Sequence, residues 1–414
     1  MTRPGETGRD PFFDAGAALG RIRDAAEAIS PYVRRTPVVY SHSLSEAAGT
    51  DVLLKLESLQ RTGSFKIRGA IRKVLSLSPD ERAAGLVAAS AGNHAQGVAL
   101  AARQCGAKAT IVMPVRTPIV KVMRTREYGA TVILEGESYD EAHSRADEIA
   151  RERGLTFVHP FDDPAVVEGQ GTVGLEIVED VPDVDVIVVP AGGGGLVSGI
   201  ALAAKGAKPS VRVVGVQASG AAALAEAFHR SEPVRLDDPR TIADGIRVGA
   251  TGRLTLDLAR RYVDEFVTVD DDEIVDAVVQ SIEKNKIVAE PAGVAAVAAV
   301  MVGRLAIAGK RVCAVVSGGN VDLNLVARII ESGLSRAGRY HLARVRMRDE
   351  PGQLKRVLET VADHDVNVLD VQHRRAGWEV PVGFVDVDLL FETRYASQGA
   401  ELDAALRAKR FEIG

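Results

Sequence analysis

The chain has 414 residues, with 51 Lys and Arg against 56 Asp and Glu and a formal net charge of −5. That length allows two or three domains with cores of their own, and the even spread of charge excludes a basic surface for nucleic acid. Hydrophobic residues make up 46% and aromatics 4%, and no apolar run approaches the ~18–20 residues that would span a bilayer, so no membrane partner is expected.

Residues 1–14 are polar, contain Pro4 and Pro11, and read as a flexible tail without the apolar core of a signal peptide, so a cytoplasmic protein is expected. A helix follows over 15–29 with Asp14 as its N-cap, then extended chain at 37–40 and a strand at 52–56. From there strands and helices alternate. Helices at 66–77, 94–104, 117–127 and 138–152 separate strands at 85–89, 109–113 and 131–134. A second run has helices at 169–179, 195–205, 220–228, 271–285, 291–307 and 320–332, with strands at 185–189, 212–216 and 311–316. Such alternation implies α/β architecture with parallel sheets in two lobes, the smaller at about 53–155 inserted in the larger. Residues 15–332 form the expected catalytic region and 333–339 a polar linker. Beyond it, strands at 341–348, 366–373 and 380–391 with helices at 351–363 and 398–409 form a small ferredoxin-like unit over 340–414, whose last strand is left undecided.

Cys105 and Cys313 are the only cysteines, too few for a disulfide framework, and the eight histidines lack metal-site spacing, so no metal is expected. Chemistry is instead concentrated in four loops. In Ser64-Phe65-Lys66-Ile67-Arg68-Gly69-Ala70, Ser64 is the expected N-cap, and the partial positive charge of the helix N-terminus disfavours an ammonium on Lys66. A lysine with a lowered pKa suits a Schiff base with a carbonyl cofactor; a solvated surface lysine is the plain alternative. The loop Ser90-Ala91-Gly92-Asn93-His94 opens a helix after a strand, so its N–H groups can take a carboxylate and Asn93 a ring oxygen. Gly192-Gly193-Gly194-Gly195-Leu196 lacks the lysine of a nucleotide P-loop but can wrap a phosphate. Ser317, in Ser317-Gly318-Gly319-Asn320, offers a hydroxyl to a neutral pyridine nitrogen. Each loop has a bland reading as an ordinary turn or helix cap; in combination they describe pyridoxal 5′-phosphate.

Residues 35–332 resemble the threonine ammonia-lyase (threonine dehydratase) branch of the fold-type II, tryptophan-synthase-β-like pyridoxal-phosphate enzymes. The resemblance rests on the four loops together with Lys55-Leu56-Glu57, Phe161-Asp-Asp-Pro164, Gly169-Gln-Gly-Thr172, Ala243-Asp-Gly245 and Glu290-Pro-Ala-Gly293. It implies Lys66 as the Schiff-base and proton-transfer lysine, Phe65 beside the ring and Asn93 at the ring oxygen. It also implies Gly192, Gly193, Gly194, Gly195 and Leu196 around the phosphate, and Ser317 at the ring nitrogen. Ser90, Ala91, Gly92, Asn93 and His94 would hold the substrate carboxylate. The implied reaction is β-elimination and deamination of L-threonine to 2-oxobutanoate and ammonia, and of L-serine to pyruvate, as the first step of isoleucine biosynthesis.

The 340–414 unit resembles an ACT domain, with its Asp349-Glu-Pro-Gly352 turn. This implies feedback by isoleucine or valine and a homo-oligomer, dimer or tetramer; assembly without effector binding is the alternative. Serine racemases share most of the motifs but carry a second acid/base serine where this chain has Ala91, which opposes racemisation. A serine-directed dehydratase, and a non-catalytic sensor that binds a phosphate ligand or an amino acid, remain the other readings. Arg247 stands where the family has a small residue.

Overall fold

The computed structural model describes residues 14–375 and 380–414; the rest of the expected tail lies outside them. Contacts divide the chain into two compact units that part between Val321 and Asp322.

In the first unit, β1 (Val38–Tyr40) and β2 (Val52–Leu56) begin the large sheet. The small sheet follows as β3 (Leu86–Ala89), β4 (Ala109–Met113), β5 (Thr131–Leu134) and β6 (Thr156–Phe157), and the chain returns to the large sheet as β7 (Val186–Pro190), β8 (Arg212–Ala218), β9 (Glu265–Val269) and β10 (Val312–Val316). The strand orders are β1-β2-β10-β7-β8-β9 and β5-β4-β3-β6. Only β1 runs antiparallel to its neighbour, with Val38 opposite Lys55. The small sheet thus falls, in chain order, between β2 and β7, and β2, which the sequence reading put at the start of the small lobe, belongs to the large sheet while β6 lies in the small one.

Along β2, β7 and β10 every residue is buried, Lys55 of β2 included, as expected where helices cover both faces of a parallel sheet. Val312 pairs with Val52 on one side and Val186 on the other, in parallel register. Each parallel strand thus delivers its carboxyl end to the same edge of the sheet, where ligands bind in open α/β architectures.

The helix over Ala15–Ile29 starts as expected, with the Asp14 carboxylate accepting from the Ala17 N–H. Other elements differ from the sequence reading. Short helices at His42–Ala48 and Pro79–Ala84, the helix Arg253–Tyr262 and strands β6 and β9 were not anticipated. The helix read at 169–179 begins earlier, at Pro164, where Asp163 caps it. The 291–307 reading resolves into a 3-10 turn, Pro291–Val294, and a short helix, Ala295–Met301, followed by Gly303 at φ 67°.

The second unit opens with the helix Leu323–Arg336, which continues through most of the stretch read as a linker; Gly333 is buried within it. Strands β11 (Tyr340–Arg348), β12 (Asn367–Arg374), β13 (Phe384–Glu392) and β14 (Glu412–Ile413) form an antiparallel sheet in the order β12-β13-β11-β14. β14 settles the undecided C-terminus by pairing Ile413 with Val345. β13 begins later than expected because Phe384 donates back to the Pro381 carbonyl across Gly383 at φ 87°. Helices Gln353–Asp363 and Gln398–Ala408 close a core of Val345, Val361, Val387, Phe391 and Leu402.

Candidate active site

Each of the four loops leaves the carboxyl end of a strand: β2, β3, β7 and β10. Two of them are zipped together. Ser64 forms an isolated antiparallel bridge with Gly318, the Phe65 N–H donates to the Ser317 carbonyl at 3.2 Å, and the Gly319 N–H donates to the Gly63 carbonyl at 2.8 Å. This bridge holds Ser64 in extended chain, so Phe65 and not Ser64 precedes the helix Lys66–Ser76, without a side-chain cap. The Ser64 hydroxyl is left buried with no hydrogen-bond partner.

Lys66 is partly buried, its Nζ 5.2 Å from the centre of the Phe65 ring and donating to the Pro160 carbonyl at 2.9 Å. Burial lowers its pKa to about 8, against a smaller opposing pull from Glu290. Desolvation disfavours the charged form of an amine, which is the condition a nucleophilic or proton-accepting lysine needs.

At the end of β3 the Gly92 N–H donates to the Ser90 hydroxyl at 3.2 Å, and the helix Asn93–Gln104 begins without a side-chain cap, leaving free donors at its N-terminus. Ala91 brings only a methyl group. The His94 ring is turned away into the interior, its Nε2 2.8 Å from the Val158 carbonyl. Since a carbonyl only accepts, Nε2 carries the proton. Burial, with Lys66 adding to it, pushes the His94 pKa down to about 3, so the ring stays neutral. Its contribution to a carboxylate site is its backbone.

The glycine loop after β7 leads into the helix Gly195–Ala207, with Gly194 at φ 93° as N-cap, a conformation that side chains disfavour. A Cβ added at Gly193 would lie 2.4 Å from the Phe161 ring. The Leu196 side chain belongs to the large-sheet core, leaving its backbone for the loop. Phe161 is itself held in place: the neighbouring Asp162 carboxylate accepts from the N–H groups of Arg253 and Thr255 and so caps the helix Arg253–Tyr262 from a distance. Ser317 is buried at the end of β10, its N–H donating to the Gly293 carbonyl.

The structure therefore brings the expected residues together by contact: the glycine loop packs on Phe161, Pro160 receives Lys66, and the Lys66 loop is bridged to the Ser317 loop. Two side chains that sequence reasoning quoted only as parts of motifs belong here too. Glu290 accepts from Asn93 Nδ2 at 2.6 Å, and Asn320 Nδ2 donates to Asn93 Oδ1 at 2.8 Å. Their places in Glu290-Pro-Ala-Gly293 and Ser317-Gly-Gly-Asn320 were the only signal. These residues fit pyridoxal phosphate: a desolvated amine for its carbonyl carbon, a helix-opening glycine cradle that a side chain would fill, and a buried hydroxyl without a partner two residues before the lysine. Among the described residues no cluster suited to a metal ion occurs.

The chain belongs to the pyridoxal-phosphate dependent enzymes, whose family model matches residues 29–318, and it carries an ACT domain matched over residues 341–390. Its architecture is that of the fold-type II members, as the residue-level resemblance implied. It is 48% identical over 395 residues to the L-threonine ammonia-lyase of Thermotoga maritima, covering 95% of this chain and 98% of that protein. Among solved structures, the processed form of threonine deaminase isoform 2 from Solanum lycopersicum superposes with a TM-score of 0.75 at 34% identity, covering 80% of this chain and 91% of that one. Maize serine racemase gives 0.72 at 37% identity, covering 77% of this chain and 98% of that one.

Proposed function

We propose that the protein is an L-threonine ammonia-lyase that converts L-threonine to 2-oxobutanoate and ammonia, and L-serine to pyruvate and ammonia. The observation that carries the reading is the Lys66 amine, its pKa lowered to about 8, where the four loops converge. When bound, pyridoxal phosphate supplies an electron sink conjugated to the substrate's α-carbon.

Lys66, with a substantial neutral fraction near its pKa, is suited to take the α-proton. The backbone donors of residues 91–93 lie at a helix N-terminus, where partial positive charge favours the substrate carboxylate. Residues 192–196 hold the phosphate in the same way. At the ring nitrogen the chain offers the neutral hydroxyl of Ser317, which does not hold a proton there as a carboxylate would. Ala91 has no group to deliver a proton from the opposite face, which favours elimination over the racemisation named for the maize neighbour.

The same reading makes the reaction the first step of isoleucine biosynthesis, in the cytoplasm, by a dimer or tetramer under feedback by isoleucine or valine at the ACT domain. What supports the effector part of that reading is the ACT domain matched over residues 341–390, in which the Asp349 N–H donates to the Gly383 carbonyl and Gly352 sits at φ 93° in the turn between β11 and the helix Gln353–Asp363.

The test is release of 2-oxo acid from L-threonine and L-serine by the cofactor-loaded protein, with and without each effector, alongside chiral analysis of residual serine. We expect 2-oxobutanoate from threonine and inhibition by isoleucine or valine. D-Serine as the main product would replace the lyase with a racemase. Indifference to both effectors would remove the feedback.

A further inference from the structure

Asn93 sits at the centre of a hydrogen-bonded chain that joins four separate segments. Asn320 Nδ2 donates to the Thr62 carbonyl at 2.5 Å and to Asn93 Oδ1 at 2.8 Å, and Asn93 Nδ2 donates to Glu290 Oε1 at 2.6 Å. An amide can usually be placed either way round, since its nitrogen and oxygen have nearly the same shape. Here the ambiguity is removed from one end. The Thr62 carbonyl only accepts, so the Asn320 atom against it is the nitrogen. That nitrogen's second hydrogen needs an acceptor, which makes the facing Asn93 atom the oxygen and turns the Asn93 nitrogen towards Glu290.

The surroundings are shaped for this chain. Glu290 is buried, and a Cβ on Gly318 would lie 2.1 Å from its Oε1. A Cβ on Gly63 would lie 2.5 Å from Asn320 Oδ1. Both glycines keep open the space that the relay's side chains occupy. The charged groups that act on Glu290 come from several elements: Asp244 from the Asp244–Ile246 turn, Lys121 from the helix Ile119–Glu127, and Lys66 from its own helix.

We propose that Asn320 and Glu290 are positioning residues for the cofactor, pinning the Asn93 amide in one orientation so that its second Nδ2 hydrogen is reserved for the cofactor's ring oxygen. The inference rests on the assignment of Asn93 to that oxygen. Neither residue need touch the reacting atoms. Asn320 acts by fixing which end of Asn93 is the donor, and Glu290 by engaging one of its two hydrogens.

The test is a spectroscopic titration of pyridoxal phosphate onto the cofactor-free protein, with each variant's fold checked by circular dichroism and melting. Asn320→Asp keeps the shape but cannot donate to Asn93. It should weaken cofactor binding roughly tenfold, the scale of one lost hydrogen bond in a buried site. Asn93→Ala should lose at least as much. The double variant should bind no more weakly than Asn93→Ala alone, because both act through one amide. Glu290→Ala should weaken binding comparably, and Glu290→Gln, which retains an acceptor oxygen, should recover most of the loss.

Unchanged affinity in Asn320→Asp beside a clear loss in Asn93→Ala would overturn the relay alone. Losses that multiply in the double variant would do the same. Unchanged affinity in both single variants would overturn the relay together with the assignment of Asn93, and a Glu290→Gln variant as weak as Glu290→Ala would remove Glu290 from it.

Discussion

Lys66 and Arg68 are cations two positions apart on one helix, and their surroundings drive them in opposite directions. Arg68 is fully buried, paired with Glu57 at 2.8 Å and Glu176 at 2.6 Å, and it also donates to Thr172 and to the Arg34 carbonyl. Lys55, also fully buried, reaches Glu176 at 2.6 Å and the Thr36 carbonyl at 2.7 Å. Burial alone would lower the Arg68 pKa, but Glu57 and Glu176 outweigh it and raise it. Burial would likewise raise Glu57, but Arg68, with help from Thr36 and Lys55, holds its carboxyl below the usual range. Lys66, which donates to the neutral Pro160 carbonyl, moves down to about 8. A paired cation anchors the helix; one kept short of carboxylates becomes a usable amine.

The largest break in that comparison is Lys66→Ala. It should reduce turnover of L-threonine by ~10³-fold or more and abolish the borohydride-sensitive visible band of the loaded protein. A variant with full activity would remove the basis of the proposed function. Arg68→Met breaks the other side, leaving Glu57 and Glu176 buried without their guanidinium. Removing one partner of a buried ion cluster costs about 3–5 kcal/mol, measurable as a lowered urea midpoint of the cofactor-free protein. Equal stability would show that the cluster is not what fixes the helix. Gly193→Ala sharpens the comparison from the phosphate side. Its Cβ, 2.4 Å from Phe161, forces the ring or the loop to move and should weaken pyridoxal phosphate binding roughly tenfold. Wild-type affinity would show that the loop tolerates a side chain.

The two clusters also differ in how far the sequence revealed them. The four loops could be read because each is a short local motif after a strand, and strands such as β7 and β10 because they are continuous apolar segments. The ion cluster could not: Lys55 and Glu57 share a motif, but Arg68 and Glu176 are 108 residues apart and meet only once the sheet is built. The same applies to the helix Arg253–Tyr262, whose N–H groups are capped by Asp162, 93 residues before Thr255. Ser64 was misread as a cap because its bridge to Gly318 is non-local too. Short elements such as His42–Ala48 and β6 carry too few residues for periodicity to register. Glu290 and Asn320 lay inside quoted motifs, yet their roles depend on which side chains face Asn93, and spacing does not report that.

Glu290 provides the most discriminating effect, because it is the carboxylate that acts on the Lys66 side of the comparison. Burial, with Asp244 adding to it, raises its pKa from 4.5 to about 7, against opposing contributions from Asn93, Lys121 and Lys66. The folded protein therefore keeps a proton that the unfolded chain releases between pH 4.5 and 7. Wherever the folded state binds more protons, stability falls as pH rises. Glu290 should thus cost nothing below pH 4.5, cost progressively more through that window, and cost its full amount above 7. Glu290→Gln does not titrate. Its stability relative to the wild type should rise across the same window, by roughly 3 kcal/mol at pH 8, read as a widening gap in melting temperature between cofactor-free proteins at pH 5 and pH 8. A gap that stays constant would mean that Glu290 ionises normally. In that case its bond to Asn93 is an ordinary charge-assisted one, and Lys66 faces a permanent carboxylate rather than one that is half protonated near neutrality.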